Sequence, residues 1–104
     1  MFVKVYHYHI QPEKEDAYLK IQEKALEIYS RYVEAETFYL QSQGDNSKWM
    51  EITRYKSEEE YQRSISLINE EEEIQELFKE FQALLISGKE EVAEEDFIEK
   101  KAAH

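Results

Sequence analysis

The sequence predicts an α+β fold in which one face of a four-stranded antiparallel sheet is covered by helices. Two observations support this prediction. Short segments in which side chains alternate in polarity, as in strands, recur along the 104 residues. Longer segments between them carry apolar residues three and four positions apart, as in amphipathic helices. The order strand, helix, strand, strand, helix, strand is that of the split βαβ, or ferredoxin-like, arrangement.

The first half of the chain contains three of the predicted strands and the first helix. We expect strand one at Phe2–Ile10 and a helix from about Glu13 to Val33, whose apolar arc covers about half its circumference. Strand two is predicted at Thr37–Gln43 and strand three at Trp49–Tyr55. Between them, Gly44-Asp45-Asn46-Ser47 is a strong turn signal, so these two strands should form a hairpin.

The third strand should pass almost directly into the second helical segment. Ser57 and Glu60, three residues apart, form a capping box. It predicts the start of a helix that ends near Ile68. Asn69 and Glu72 repeat the signature, which predicts that this segment breaks and restarts.

The C-terminal part of the chain begins with the second helical piece. We expect that piece to end at Ser87-Gly88, with Gly88 as its C-cap. A last strand is predicted near Glu94–Lys100, followed by a frayed end at Ala102 to His104.

Composition limits the function classes. The chain is 41% hydrophobic, enough for one core, and we expect a single domain spanning residues 1–104. A net charge of −11 argues against nucleic acid as a partner. No segment approaches the roughly 20 apolar residues of a membrane span, so no membrane association is expected. No signal peptide is visible and there are no cysteines, so a cytoplasmic location is expected.

Strand parity suggests which sheet face carries which side chains. We expect strands one and three to be parallel neighbours, with aliphatic residues beneath the helices. The opposite face would then expose tyrosines and tryptophan, residue types that are enriched at association surfaces. This predicts a homodimer whose interface contains Tyr6, Tyr8, Tyr39, Trp49 and Tyr55. A monomer with scattered exposed aromatic residues is the alternative.

Two stretches and the element order resemble a known family. Strand one ends in Ile10-Gln-Pro-Glu-Lys-Glu-Asp16, and Trp49 to Tyr55 runs into Lys56-Ser57-Glu58-Glu59-Glu60-Tyr61. In these two stretches and in the order of its elements, the chain is similar to the antibiotic biosynthesis monooxygenase-like group. The resemblance implies a dimeric α+β barrel with a ligand cleft between sheet and helices in each protomer. Members of the group include cofactor-less oxygenases of aromatic polyketides, haem-degrading enzymes and proteins without a known reaction.

The haem-degrading branch of that group differs from this chain at the matching positions. Tyr55 stands where that branch has a tryptophan, and residues Ser57 to Ile86 contain no histidine. The glycines are Gly44 and Gly88, and neither belongs to a phosphate-binding loop. We therefore expect no haem, no flavin and no other cofactor. No metal site is predicted, because two strand histidines need a third ligand from elsewhere.

The polar residues of strands one and three are candidates for a catalytic or binding site. His7 and His9 share one face of strand one, and Arg54 shares the parity of Met50 on strand three. With parallel strands, both histidines and Arg54 would meet at one end of the cleft, where a histidine could move a proton. We therefore predict His7 and His9 as catalytic, and Arg54, Met50 and Phe81 as substrate-binding. The alternative is that the histidines are satisfied core or rim residues and Arg54 pairs with a glutamate.

Two function classes remain open. One is a cofactor-independent monooxygenase-like enzyme acting on a small hydrophobic or phenolic aromatic substrate. The other is a non-catalytic dimer that binds or senses a small ligand in the same cleft.

Overall fold

The structure, a computed structural model, describes residues 1–103 and has a four-stranded antiparallel sheet with helices on one face. The predicted α+β, ferredoxin-like fold is confirmed. His104, part of the chain end predicted to fray, lies outside the described residues. The elements are β1 (Phe2–His9), a 3₁₀ turn (Pro12–Lys14), α1 (Glu15–Tyr29), β2 (Ala35–Gln41), β3 (Lys48–Tyr55), α2 (Glu58–Asn69), α3 (Glu72–Gln82) and β4 (Ala93–Ile98).

The sheet has the strand order β2-β3-β1-β4 with every neighbouring pair antiparallel. The predicted parallel pairing of strands one and three is therefore wrong. The crossover through α1 makes β1 and β2 parallel, and the hairpin reverses β3 relative to β2. In the resulting register Phe2 lies opposite Tyr55 and His9 lies opposite Lys48.

The two sheet faces are the reverse of those predicted. Tyr8 and Trp49 face the helices and belong to the main core cluster together with Tyr18 of α1, which is fully buried. The residues predicted to lie beneath the helices instead occupy the face that no helix within residues 1–103 covers, where Phe38 and Leu40 are about half exposed. A sheet-to-helix gap can be filled by large rings as well as by aliphatic chains, and parity alone does not distinguish the two cases.

Local signals set most element boundaries. Ser57 caps α2 by accepting a hydrogen bond from the Glu60 amide at 3.2 Å, as predicted. The predicted break after Asn69 is present, although α3 begins without a side-chain cap. Gly88, with φ of +87°, lies in a turn after the chain has left α3, so it is not the C-cap of that helix.

The edge strand β4 is held to β1 through a buried lysine. Lys4 is 4% exposed, and its Nζ lies 2.5 Å from a Glu94 oxygen and 2.7 Å from an Asp96 oxygen. Desolvation alone would lower the pKa of Lys4, but hydrogen bonds with Asp96 and Glu94 outweigh it and raise the pKa. The side chains of β4 are otherwise exposed, so this ion pair is its principal side-chain attachment.

None of the helices within residues 1–103 is long and apolar enough to cross a membrane.

Replacing Lys4 by Ala should lower the free energy of unfolding by about 1–3 kcal/mol, because charge-assisted hydrogen bonds to β4 are lost at a buried position. Urea unfolding followed by circular dichroism measures this. Lys24→Ala, an exposed residue of α1, is the matched control and should change stability by less than about 0.5 kcal/mol. Equal effects of the two substitutions would contradict the attachment role.

Candidate functional site

An open cleft of about 1250 Å³ lies between the helix-facing side of the sheet and the helices α1 and α3. The sheet forms its floor, and each helix forms one wall. Aromatic and aliphatic side chains make up more than half of the lining, and polar side chains make up the rest, a mixture found in small-molecule sites. The cleft exists because α1 and α3 pack together at one end of the sheet, around Tyr18 and Phe81, and leave the rest of the floor uncovered.

The floor of the cleft carries a carboxylate surrounded by phenols. Glu51 lies on β3 opposite Tyr6 of β1, so both side chains are on the helix-facing side. The Tyr8 hydroxyl donates to Glu51 Oε1 at 2.8 Å, and the Tyr8 and Tyr18 hydroxyls are 2.5 Å apart. Because Tyr8 donates to Glu51, Tyr18 donates to Tyr8. The three groups therefore form one directed chain that ends on the carboxylate.

Burial controls the ionisation of Glu51. Desolvation raises the pKa of its carboxyl, and the hydrogen bond from Tyr8 offsets only part of that rise. A carboxylate whose conjugate acid has a raised pKa is a stronger base than an ordinary carboxylate, and its position beside an open cleft makes Glu51 a candidate general base.

The phenols around Glu51 remain protonated and so remain hydrogen-bond donors. Burial raises the pKa of Tyr29 to about 12. Burial, followed by charge interactions that include Glu51, also raises the pKa values of Tyr6, Tyr8, Tyr39 and Tyr55. The helix walls add an amide: Gln22 of α1 is 9% exposed and accepts from the Tyr39 hydroxyl at 3.2 Å.

The structure does not bring the predicted catalytic residues to the cleft. His7 and His9 lie on the uncovered sheet face, where His9 Nδ1 is 3.1 Å from Ser47 Oγ in the hairpin turn. The prediction that they meet Arg54 is wrong in its geometry, because antiparallel pairing puts Arg54 opposite Val3 at the other end of β1. The alternative of satisfied rim residues describes His9 better.

The predicted substrate-binding residues are divided between the two faces. Phe81 of α3 lines the cleft and packs edge-on against Tyr8 at 4.9 Å between ring centroids. Met50 lies on the uncovered face, beside Leu40 of β2. Arg54 is on that face too, with Glu36 at 2.7 Å and Glu99 at 2.8 Å, so its charge is already paired.

The five residues predicted to form the dimer interface lie inside the protomer instead. All of them face the helices, and none lies on the uncovered sheet face. Three are almost fully buried, and the other two, partly buried, line the cleft: Tyr8 (2% exposed), Trp49 (6%), Tyr55 (4%), Tyr6 and Tyr39. Their combination of an aromatic ring with an O–H or N–H group suits a ligand cleft as well as an association surface, which is why composition pointed to the wrong face.

Glu51 and Tyr18 were missed by the sequence reasoning. Glu51 is a charged residue in the middle of a strand and shares the parity of Trp49, Thr53 and Tyr55. An acidic residue on the aromatic side of a central strand is a signal of a functional site. Tyr18 gave no such signal, because a tyrosine in a helical apolar stripe is ordinarily core.

Solved structures share this fold. A NIPSNAP domain protein from Burkholderia xenovorans matches with a TM-score of 0.77 and 16% identity over 100% of this chain and 99% of its own. A mutant of SnoaB, a cofactor-independent oxygenase from Streptomyces nogalater, matches with a TM-score of 0.74 and 9% identity over 97% of this chain and 94% of its own. An antibiotic biosynthesis monooxygenase matches at 0.68 and 13% over 97% and 100%. No family model and no curated protein matches the sequence.

Replacing Glu51 by Gln should stabilise the protein more at pH 8 than at pH 5. A carboxyl whose pKa is raised by folding binds more protons in the native state, so its contribution to stability falls as pH rises from the unfolded pKa to the folded one. Gln removes this loss and can still accept from Tyr8. Thermal unfolding at the two pH values measures the difference. Glu23→Gln, on the exposed side of α1, is the control, and an equal gain at both pH values for Glu51→Gln would contradict the raised pKa.

Proposed function

We propose that this chain is a cofactor-independent oxygenase that binds a small hydrophobic aromatic substrate in the cleft and uses Glu51 as its general base. The observation that carries the proposal is an open, tyrosine-lined cleft whose floor holds a carboxyl with a raised pKa. Structural neighbours that include cofactor-independent and antibiotic biosynthesis monooxygenases support the same general kind of activity.

The chemistry that suits this cleft begins with loss of a proton. A CH₂ group flanked by aromatic rings gives its proton to Glu51 and becomes a carbanion, which can react directly with O₂ to form a peroxide. The peroxide takes up a proton and loses water to leave a ketone, so that R₂CH₂ and O₂ become R₂C=O and H₂O. The protein supplies the base and the orientation of the ring system.

Tyr8 and the cleft walls have separate tasks in this scheme. Tyr8 fixes the position of Glu51 by donating to one carboxyl oxygen, while Tyr18 orients Tyr8. Phe81 and Leu77 of α3 lie on the wall opposite the sheet, where they can hold a planar substrate against the tyrosines of the floor. The alternative is a non-catalytic ligand-binding dimer, in which the same cleft binds an aromatic compound without a reaction.

Oxygen consumption distinguishes an enzyme from a binding protein. With a panel of hydroxylated tricyclic aromatic compounds that carry a ring CH₂, under ¹⁸O₂ and with chelator present, we expect a ketone product containing one ¹⁸O atom. Glu51→Gln should lower kcat by about 100-fold or more, since general-base catalysis contributes that much. Glu23→Gln should leave it unchanged. A ligand that shifts the melting temperature but is never oxidised would favour the non-catalytic alternative.

We further propose that two protomers associate through the uncovered sheet face, as the family resemblance implies. The centre of this face is apolar, and Phe38 and Leu40 are about half exposed there. Its apolar residues are Val3, Val5, Phe38, Leu40, Met50 and Ile52. The charge of Arg54 at one end is paired within the protomer. A continuous apolar centre of this kind is better buried against a second copy than left in water.

Light scattering after size exclusion should give twice the chain mass of 12.6 kDa. Ile52→Asp should give a monomer or aggregate, because it places an unpaired charge in the middle of the interface. Leu67→Asp replaces an equally apolar residue that is 51% exposed on α2 and should remain dimeric. A wild-type monomer at micromolar concentration would exclude this association.

A further inference from the structure

Among residues 1–103, the interior of the cleft contains one carboxyl group, that of Glu51, and no cation to balance a second negative charge. The two basic residues that line the cleft, Arg31 and Lys79, are both exposed, as is Glu34. Lys4 lies on the same side of the sheet but is paired with Glu94 and Asp96. Among residues 1–103, Glu51 is therefore the one ionisable group of the floor that can carry a charge at neutral pH.

Within residues 1–103, the surroundings of Glu51 are phenols that supply a hydrogen bond from Tyr8 but no charge. The titratable groups whose ionisation is coupled to Glu51 are all tyrosines, drawn from four elements: Tyr6 and Tyr8 of β1, Tyr18 and Tyr29 of α1, Tyr39 of β2 and Tyr55 of β3. The third helix contributes Leu77 and Phe81, which do not titrate, and the exposed Lys79. Phenols donate hydrogen bonds and offer aromatic contact, and both features suit an aromatic ligand that is uncharged where it meets the floor.

A negatively charged ligand would be repelled by an ionised Glu51. Two carboxylates in one poorly solvated site repel strongly, and such pairs hold a single proton between them. The protein's net charge of −11 adds to the repulsion at longer range. Proton uptake removes the conflict, because Glu51 becomes a neutral carboxyl that can donate to the ligand anion.

We propose that the cleft holds one negative charge at a time, so that an aromatic carboxylate or phenolate binds only together with a proton on Glu51, whereas a neutral aromatic ligand binds without one. This inference rests on the proposed function only in taking the cleft as the ligand site. It makes the substrate class neutral hydroxylated aromatics, because an aromatic acid would bind with Glu51 already protonated and leave no base for the reaction.

A matched pair of probes tests this proposal. 2-Naphthoate and 2-naphthamide have the same ring system and nearly the same shape, but only the first is charged between about pH 5 and about pH 9. Isothermal titration calorimetry in buffers of different ionisation enthalpy measures the protons taken up per ligand bound. We expect close to one proton for naphthoate above the pKa of Glu51 and none for naphthamide. Above the pKa of Glu51 the affinity for naphthoate should fall about tenfold per pH unit, while the affinity for naphthamide stays constant.

Two variants assign the proton to its site. In Glu51→Gln, naphthoate should bind without proton uptake and with an affinity that no longer depends on pH. Glu23→Gln should behave like the wild type. Naphthoate binding by the wild type without proton uptake at every pH between about 5 and about 9, uptake that persists in Glu51→Gln, or failure of either probe to bind at any pH would each overturn the proposal.

The outcome is separable from that of the oxygenase proposal. Proton-coupled binding of naphthoate without any oxygen consumption would exclude the catalytic function and support the proposal that the cleft holds one negative charge. Oxidation of a neutral substrate, together with naphthoate binding that takes up no proton, would support the catalytic function and exclude the one-charge proposal.

Discussion

The antiparallel pairing of β1 with β3 is the constraint on which the rest of the molecule depends. It places Tyr8 beside Trp49 and Tyr6 beside Glu51, so that the polar centre of the cleft is assembled from two neighbouring strands. The same register places His7 beside Met50 on the uncovered face. Since side chains alternate strictly along a strand, no local change can exchange these two sets without shifting a whole strand by one residue.

The sequence was sufficient for the elements and their order. The turn at 44–47, the Ser57 cap and the alternating strands are local signals, and each lies where the chain adopts the expected structure. Helix ends were predicted less well, because the apolar stripe of the first helix continues past Tyr29 into a segment of turns. Periodicity records which residues can be buried, and it does not record where backbone hydrogen bonding stops.

The candidate site was harder to predict, since its location depends on two non-local facts. The alternation of side chains correctly placed Tyr8 and His7 on opposite faces of the first strand. Deciding which of the two faces lies beneath the helices required knowledge of the side chains that fill the space between sheet and helices. The direction of β3 relative to β1 then decided whether Arg54 lies near His9 or far from it. Both facts concern how elements are placed relative to each other, and composition reports on neither.

The position of Glu51 is costly for folding, and this argues for a role of that residue in the cleft. A carboxyl partly removed from water with one hydrogen-bond donor, Tyr8, is less well satisfied than it would be in solution. Glutamine would keep the bond from Tyr8 and avoid the charge, so structure alone does not require the acid here. Strands that need only a filled core carry no such group, whereas sites that move a proton or discriminate ligand charge depend on one. The hydrogen bond from Tyr8 lowers the cost without cancelling the charge, and it leaves the second carboxyl oxygen of Glu51 available to whatever enters the cleft.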